Sequence, residues 1–201
     1  MIEIAAFYGS PRRRGNTATL LRRAVAGAWD AGARVTEIVL RDQKMSPCLE
    51  IYGCKDTGRC VIKDDYAKIE AMLQGVDGMM LASPIFFYSV SAHTKILMDR
   101  CNSLWVKKYW IDKKPFGQKH YPRKGLFISV GSTNGKRLFD GAVLSVTYFM
   151  DALDMELWQS LLYRGIEKEG QIQENPAALQ AAYDAGKGLV KELSANQASI
   201  D

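Results

Sequence analysis

Short apolar runs alternate along this chain with segments whose apolar residues recur at helical spacing, and this alternation constrains the fold more than any other feature. Runs that are apolar at nearly every position are typical of strands buried on both faces of a parallel sheet. The strand candidates cover residues 2–8, 34–40, 75–83, 124–131 and 156–164. The helix candidates cover residues 16–31, 64–73, 91–104, 139–153 and 176–193. The alternation predicts an α/β fold, a doubly wound five-stranded parallel sheet with helices on both faces.

The length of the chain, 201 residues, predicts one domain over residues 1–195 and a C-terminal tail over 196–201. A chain of this size buries about 70% of its unfolded surface, which is enough for a hydrophobic core that needs no disulfide bonds or structural metal. Two segments exceed the minimum fold, at 42–63 and 105–123, and we interpret both as elaborations of the one domain. They would lie near a site or at a subunit interface.

The charge of the chain is mildly basic, with 27 Lys and Arg against 22 Asp and Glu and a net charge of +5. This balance suits a phosphorylated ligand and also weak, non-specific binding of nucleic acid. The positive residues are dispersed, and no zinc-finger spacing or aromatic RNA-binding signature accompanies them. We therefore expect no nucleic-acid partner.

Targeting signals are absent from the sequence. No run of 18 apolar residues occurs, and the N-terminus lacks the basic region and the small-residue cleavage site of a signal peptide. These absences predict a cytoplasmic protein without a membrane-bound segment.

The segment 9–17 follows a predicted strand and opens a predicted helix, where free backbone N–H groups favour an anion. Ser10, Asn16 and Thr17 add side-chain donors, and Arg12 adds a charged guanidinium that can donate two hydrogen bonds to one anion. The spacing excludes a triphosphate-binding loop, because Asn16 stands where a lysine is needed, and the dinucleotide fingerprint is absent as well. Two interpretations remain, a cradle for a terminal monophosphate and a capped helix with a basic loop.

Two segments together resemble the flavodoxin-like NAD(P)H-dependent FMN reductases. Residues 9–17 are similar to the phosphate loop of that family, and residues 83–92, which lead to the Lys-Ile-Leu-Met-Asp-Arg run at 95–100, are similar to its flavin-ring loop and the helix after it. The similarity extends from residue 1 to about 195. The resemblance implies a flavodoxin-like sheet of strand order 2-1-3-4-5, one FMN per subunit, NAD(P)H as co-substrate, and a homodimer or homotetramer.

The same resemblance implies three groups of cofactor-binding residues. The FMN phosphate would be held by Ser10, Arg12, Asn16, Thr17 and Ala18. The isoalloxazine would be lined, partly through backbone amides, by Pro84, Ile85, Phe86, Phe87, Tyr88 and Ser89, and approached from its other side by Gly131 and Ser132. The alternative for the three aromatics is core or interface packing, but three in a row cannot all point inward from one strand. At least one of them should meet a ligand or a partner subunit.

Three cysteines, Cys48, Cys54 and Cys60, resemble the compact cysteine segment of the iron–sulfur flavoproteins, a branch of the same group. That branch has four cysteines in the segment, and here Ile51 occupies one of their positions. A cubane cluster ordinarily needs four thiolates, and Cys101 is distant in sequence, so we expect neither an iron–sulfur cluster nor another metal site. The thiols would instead form a reduced loop over the flavin or a reversible Cys54–Cys60 or Cys48–Cys54 disulfide.

The resemblance implies an FMN-dependent oxidoreductase that takes a hydride from NAD(P)H and passes electrons to a quinone-like, flavin or other small acceptor. The hydride step needs no general acid or base, so we assign no catalytic side chain, and His93 and His120 are weak candidates. Tyr109, Trp110 and Tyr121 would border a substrate pocket or bury a subunit interface. The alternatives are an FMN-containing electron-transfer flavoprotein that serves a protein partner, and a cofactor-free binding module.

Overall fold

Five parallel strands form a single sheet in the order β2-β1-β3-β4-β5. The structure, a computed structural model, describes residues 1–117 and 121–198. The strands are β1 (Glu3–Tyr8), β2 (Arg34–Val39), β3 (Gly78–Pro84), β4 (Arg123–Val130) and β5 (Met155–Tyr163). The order and the parallel pairing confirm the predicted flavodoxin-like fold class. All five carboxyl ends therefore lie at one edge, where ligands bind in such sheets.

Helices cover both faces of the sheet and divide the core in two. The helices are α1 (Asn16–Asp30), α2 (Tyr66–Gly75), α3 (Ala92–Arg100), α4 (Asn102–Val106), α5 (Asp140–Ala152) and α6 (Pro176–Ala198). Apolar residues of α1 and α6 pack on one face, and those of α2, α3, α4 and α5 pack on the other. The apolar stripe of each helix explains this placement, because each must bury its stripe against the sheet.

The pairing of α1 with α6 depends on two glycines. A Cβ added to Gly27 would collide with the carbonyl of Tyr183, and one added to Gly186 would collide with the carbonyl of Ala24. The two backbones are therefore in direct contact. This closeness fixes the position of α1, whose first residues belong to the predicted phosphate loop.

One predicted helix, over 91–104, is interrupted in the structure. The amide of Cys101 is shared between the carbonyls of Leu97 and Met98, both at 3.1 Å, and its ψ of 1° leaves the helical region. The chain continues as α4 and then as a π-helical turn over Lys107–Ile111. The break turns the chain toward the 105–123 elaboration.

The second strand differs from its prediction of burial on both faces. Most residues of β2 are exposed or half-buried, since it is an edge strand that pairs only with β1. Its apolar side chains are only partly buried, with Val35 and Val39 against one part of the core and Ile38 against the other. An edge position therefore explains the difference.

The C-terminal helix continues to Ala198, so helical structure enters the predicted 196–201 tail. His120 lies outside the described residues. Among the helices of the described residues, none combines the length and the apolar character that a bilayer crossing requires.

Candidate functional site

Loops from four strands meet at the carboxyl edge of the sheet and enclose a cavity of about 190 Å³, here called the edge cavity. The predicted residues in its wall are Ser10, Arg12, Asn16, Thr17, Pro84, Ile85, Phe86 and Ser132. The structure thus brings the two halves of the predicted site together. The other predicted residues belong to the same loops or to the first turn of α1 but are not part of that wall: Ala18, Phe87, Tyr88, Ser89 and Gly131.

The first turn of α1 opens into the edge cavity without a side-chain cap. Gly15 occupies the N-cap position, and no side chain among residues 1–117 and 121–198 accepts a hydrogen bond from this helix end. The amides of Asn16, Thr17 and Ala18 precede the first intrahelical donor, Thr19, whose N–H reaches the Gly15 carbonyl. Uncapped N–H groups beside a cavity form an arrangement that accepts an anion.

The loop before α1 folds tightly enough that position 15 needs a glycine. A Cβ there would lie 2.8 Å from Ser10 Oγ and 3.3 Å from Arg12 O. Ser10 Oγ accepts a hydrogen bond from the Arg12 amide at 3.1 Å. The Arg12 guanidinium is exposed and makes no hydrogen bond or ion pair within the described residues, so it is free to meet an anion.

Asn16 has a different role from the one expected of its side chain. Its Nδ2 donates to the Lys168 carbonyl at 2.9 Å, and its Oδ1 accepts from the Ile172 amide at 3.2 Å. The side chain therefore holds the loop after β5, and the backbone amide and the second Nδ2 hydrogen remain for an anion. This loop contributes Ile166 and Glu167 to the cavity, which the sequence reasoning missed. The available signal was that β5 ends at the same sheet edge.

A two-residue hairpin follows β3. Phe86 and Ser89 exchange two backbone hydrogen bonds, of 2.9 and 3.0 Å, and the intervening Phe87 and Tyr88 have φ values of 49° and 60°. Aromatic residues rarely adopt this left-handed geometry, and each instance costs about 1–3 kcal/mol. All three aromatics are exposed, Phe87 completely. Strain that projects aromatic rings into solvent is typical of a ligand-binding or partner-binding site.

The hairpin uses several of the amides that were expected to face a ring. The Ile85 amide donates to the Val130 carbonyl at 3.0 Å, and those of Phe86 and Ser89 donate to each other's carbonyls. Within the described residues, the amides of Phe87 and Tyr88, which lie in the turn, donate to no backbone carbonyl. Among the hairpin amides, those of Phe87 and Tyr88 are therefore the ones available to a ligand.

Ser91 joins the phosphate loop to the hairpin. Its Oγ donates to the Gly9 carbonyl at 2.5 Å, and its amide donates to Ser83 Oγ at 2.9 Å. Its Oγ also lies 3.0 Å from Thr94 Oγ1. These buried bonds fix the ends of β1 and β3 relative to the start of α3.

The cysteine segment borders a larger cavity of about 620 Å³ that lies along α3 and α5. Cys48, Cys54 and Cys101 all line it, so the cysteine that is distant in sequence lies at the same cavity as the segment. The Ile51 side chain is largely exposed, and all four cysteines are free. Within residues 1–117 and 121–198, no group of three or more His, Cys, Asp or Glu side chains is placed to hold a metal ion. The segment itself offers three thiols and Ile51, whereas a cubane cluster ordinarily needs four thiolates.

Arg100 anchors the cysteine segment from inside the protein. Its fully buried guanidinium donates to Asp64 at 2.5 and 3.0 Å and to the Ser46 carbonyl at 3.0 Å. Its Nε also donates to Cys60 Sγ at 3.3 Å. One buried cation thus holds both ends of the segment.

Asp64 gives this anchor a pH dependence. Burial alone would raise the pKa of its carboxyl, but hydrogen bonds from Arg100 and from the Ser46 and Tyr66 amides outweigh burial and lower that pKa from 3.8. A lowered folded pKa stabilises the fold above the unfolded pKa, and the stabilisation is lost as pH falls through the folded pKa. We expect Asp64→Asn to lower the free energy of unfolding at neutral pH, with the difference from wild type shrinking below about pH 4. Urea titrations across this range check it, and a difference that is constant with pH would contradict it.

Cys101 differs from the other thiols in its burial. Burial raises the pKa of this thiol to about 12, so almost no thiolate forms near neutral pH. We expect iodoacetamide at about pH 8 to alkylate Cys48, Cys54 and Cys60 in the folded protein and to spare Cys101. Peptide mass spectrometry with and without urea checks this, and rapid labelling of Cys101 in the folded state would show it wrong.

The tyrosines of the 105–123 elaboration have structural partners. The hydroxyls of Tyr109 and Tyr121 both donate to the carboxylate of Asp151, and Trp110 is exposed. Tyr109 also stacks on Phe116, with ring centroids 4.2 Å apart. His93 is half-buried in the first turn of α3. None of these residues lines the edge cavity.

Comparison with protein families and curated proteins agrees with the resemblance. The sequence model of the family described as NADPH-dependent FMN reductase matches residues 2–160. An iron-sulfur flavoprotein of Methanocaldococcus jannaschii is 38% identical over 105 residues, which are 52% of this chain and 54% of that protein. The match thus spans about half the length of that relative. A Bacillus subtilis protein described as an NAD(P)H-dependent FMN-containing oxidoreductase is 26% identical over 90% of this chain and 94% of its own.

Solved structures share the fold at low sequence identity. An NAD(P)H:quinone oxidoreductase from Methanothermobacter marburgensis has a TM-score of 0.69 at 14% identity, with 94% of this chain and 96% of that chain covered. A Trp repressor binding protein from Bacillus subtilis has a TM-score of 0.60 at 21% identity, with 90% and 96% covered.

Proposed function

Because this chain belongs to the NADPH-dependent FMN reductase family, we propose that it binds FMN at the edge cavity and catalyses electron transfer from NAD(P)H to a quinone-like, flavin or other small acceptor. The observation that carries the proposal is the uncapped start of α1, which opens into a cavity that the strained aromatic hairpin also borders. An anion site and an aromatic surface at one sheet edge suit a flat ring with a phosphate tail.

The residues of the edge cavity suit the phosphate end of FMN. The amides of Asn16, Thr17 and Ala18, the Ser10 hydroxyl and the Arg12 guanidinium would hold the phosphate. The cavity, at about 190 Å³, is smaller than the roughly 300–1,000 Å³ typical of sites that enclose such ligands. The ring would therefore extend beyond the wall, across the hairpin and toward Gly131 and Ser132.

FMN, when bound, supplies the hydride and electron chemistry. The chain supplies position: the Ser91 bonds fix the hairpin against the phosphate loop. The exposed aromatics would shield one side of the ring from water. No side chain needs to move a proton for hydride transfer, so we assign none. The experiment is anaerobic absorption spectroscopy of the FMN-loaded protein, in which NAD(P)H should bleach the flavin bands promptly.

Arg12 tests the phosphate site directly. We expect Arg12→Ala to weaken FMN binding by about 1.5–3 kcal/mol, because one charge-assisted hydrogen bond to the phosphate is lost. Arg14→Ala, in the same loop but outside the cavity wall, is the matched control and should change little. Fluorescence titration of apoprotein with FMN measures both, and equal affinities for both variants and wild type would contradict the assignment.

The complete exposure of Phe87 favours one alternative, an electron-transfer flavoprotein with a protein partner at the hairpin. In that case dithionite would bleach the flavin bands and NAD(P)H would not. The mildly basic charge and the length of the chain favour the reductase, since simple flavodoxin carriers are usually shorter and acidic.

We also propose that this chain works without an iron–sulfur cluster, although relatives are named for one. The support is Ile51 at the position of the missing thiol, and the protonated state that burial favours at Cys101. Iron and acid-labile sulfide should be absent from protein purified anaerobically. Stoichiometric iron with broad visible absorption beyond the flavin bands would overturn this.

The expected homodimer or homotetramer remains a proposal, as do the single domain over 1–195 and the cytoplasmic location. Apolar side chains at Phe87, Leu144 and Tyr148 are exposed and give the assembly a candidate contact surface. Light scattering of the FMN-loaded protein measures the oligomeric state, and a monomer at micromolar concentration would contradict the proposal.

A further inference from the structure

The cavity of about 620 Å³ along α3 and α5, here called the α3–α5 cavity, has the volume of a ligand site. Sites that enclose small organic ligands typically measure about 300–1,000 Å³ and are lined mainly by apolar and aromatic side chains. Tyr52, Trp105 and Phe149 form an aromatic wall here, and Met98 and Ala152 add apolar surface. The proposed FMN site does not use this space.

The aromatic wall of the α3–α5 cavity is held in place by other side chains. The ring centroid of Trp105 lies 5.4 Å from that of Tyr109 and 5.6 Å from that of Trp110. The Lys55 ammonium lies 4.0 Å from the ring centroid of Tyr52 and 5.4 Å from that of Trp110. These ring and cation–π contacts fix both walls before a ligand arrives, as is usual for small-molecule sites.

The cysteine segment has strained backbone where it faces this cavity. Glu50 and Tyr52 have φ values of 49° and 62°, in the left-handed region that non-glycine residues rarely adopt. Both residues line the α3–α5 cavity. Such residues cluster at ligand sites, so the strain is a second, independent indication of a binding site.

The polar groups of the cavity select the chemistry of its ligand. The Asn102 amide and the Ser145 hydroxyl line it and make no side-chain hydrogen bond within residues 1–117 and 121–198. Both can donate to a carbonyl oxygen and accept from a hydroxyl group. The charged side chains of the wall are Glu50, Lys95 and Asp99, and the last two pair at 2.6 Å. One cation against two anions gives no attraction for a phosphate or sulfonate, so the wall favours a neutral aromatic ligand with carbonyl groups.

The near end of the α3–α5 cavity lies close to the hairpin. A Cβ added to Gly141 would lie 2.7 Å from the Tyr88 carbonyl, so the start of α5 touches the hairpin. Ser145 follows one turn later, about 6 Å farther along the helix. Phe86, in the same hairpin, lines the edge cavity. The hairpin therefore adjoins both the edge cavity and the helix that leads into the α3–α5 cavity.

We infer that the α3–α5 cavity binds a neutral, planar quinone and is the acceptor site of this chain, separate from the FMN site. The inference rests on the proposed function, because a flavin at the edge cavity has to supply the electrons. The hydride of NAD(P)H and one proton from water together provide the two electrons and two protons that convert the quinone to a hydroquinone. Only electrons cross between the two sites, since electrons, unlike a hydride, pass between groups that are not in contact. Protons exchange with water at each site.

Thiol alkylation tests binding without turnover. Cys48 and Cys54 line the α3–α5 cavity and Cys60 does not, so Cys60 is an internal control. The probe is duroquinone, whose methyl groups leave no free ring position for a thiol. With oxidised, FMN-loaded protein and duroquinone at about ten times its dissociation constant, iodoacetamide should label Cys48 and Cys54 about tenfold more slowly. The labelling rate of Cys60 should not change.

A variant that fills the cavity tests the acceptor role. Ser145→Trp places an indole in the cavity, and Thr147→Trp, at an exposed position of α5 outside the wall, is the matched control. The flavin is reduced beforehand with dithionite, so no nucleotide is needed, and stopped-flow records its reoxidation by duroquinone. We expect Ser145→Trp to lower the second-order rate about tenfold or more and to abolish thiol protection, and Thr147→Trp to match wild type.

Unchanged labelling of Cys48 and Cys54, equal slowing at Cys60, or unchanged reoxidation of Ser145→Trp would overturn the inference. So would protection that depends on protein concentration and not on duroquinone, because a second copy of the chain would then cover the cavity. A flavin that dithionite bleaches and NAD(P)H does not would overturn the proposed function instead. Thiol protection and reoxidation by the quinone would still decide the acceptor site in that case, since neither measurement uses a nucleotide.

Discussion

Replacing Arg100 with methionine is expected to lower the free energy of unfolding by about 3–5 kcal/mol. Methionine keeps most of the volume but leaves the Asp64 carboxylate and the Ser46 carbonyl without the donor that now satisfies them. A buried charge left without its partner costs more than the pair itself contributes. Urea unfolding of the FMN-loaded protein, followed by circular dichroism, measures the change.

Two further variants separate this effect from general loss of charge. Arg34→Met removes an exposed pair with Glu3, in which the side chains are 66% and 47% exposed, and should change stability by less than about 1 kcal/mol. Arg100→Met combined with Asp64→Leu removes both charges and should be less destabilised than Arg100→Met alone. If Arg100→Met alone unfolds within about 1 kcal/mol of wild type, the buried Arg100 anchor is unimportant for stability.

Replacing Gly9 with alanine is expected to destabilise the fold by about 3 kcal/mol and to weaken FMN binding about a hundredfold. The added Cβ would collide with Thr94 Oγ1 and would lie 2.8 Å from the Ala82 carbonyl. Thr94 is buried and bonded to Ser91, so α3 has to move away from β1. That movement would separate the phosphate loop from the hairpin. FMN titration and urea unfolding measure the two effects.

The matched control for Gly9 is Gly75→Ala, at the end of α2, where an added Cβ meets nothing within 4 Å. It should leave both stability and FMN affinity close to wild type. Gly9→Ala with Thr94→Ala removes the nearest obstruction and should recover part of the lost affinity. Unaltered FMN binding by Gly9→Ala would show that the Ser91 connection does not position the site.

The fold was predictable because its main elements have strong local signals. The runs that become β1, β3 and β4 are apolar throughout, and strands with two buried faces require this pattern. The weaker prediction was β2, since an edge strand pairs on one side only and its burial depends on neighbours that no local pattern shows. The break at Cys101 was missed for a similar reason: a shared amide hydrogen bond has no distinct residue signature.

The site was predictable in its loops and less so in its contacts. Consecutive residues around Gly15 and Phe86 indicated which loops meet at the sheet edge. The partners of Asn16, in contrast, are Lys168 and Ile172, and such long-range pairing follows only from the folded topology. The same limit explains Cys101, which reaches the cavity of the cysteine segment through the packing of α3.

The contact of α1 with α6 has a consequence for how the protein is made. The helix that carries the amides of the proposed phosphate site packs backbone to backbone on α6, and Asn16 is held by residues 168–172. These supports follow α1 by more than 100 residues in the sequence and are translated after it. A nascent chain that ends near residue 160 leaves the apolar stripe of α1, including Leu20 and Leu21, without its cover. The proposed phosphate site therefore lacks its supports until α6 and residues 168–172 have been translated.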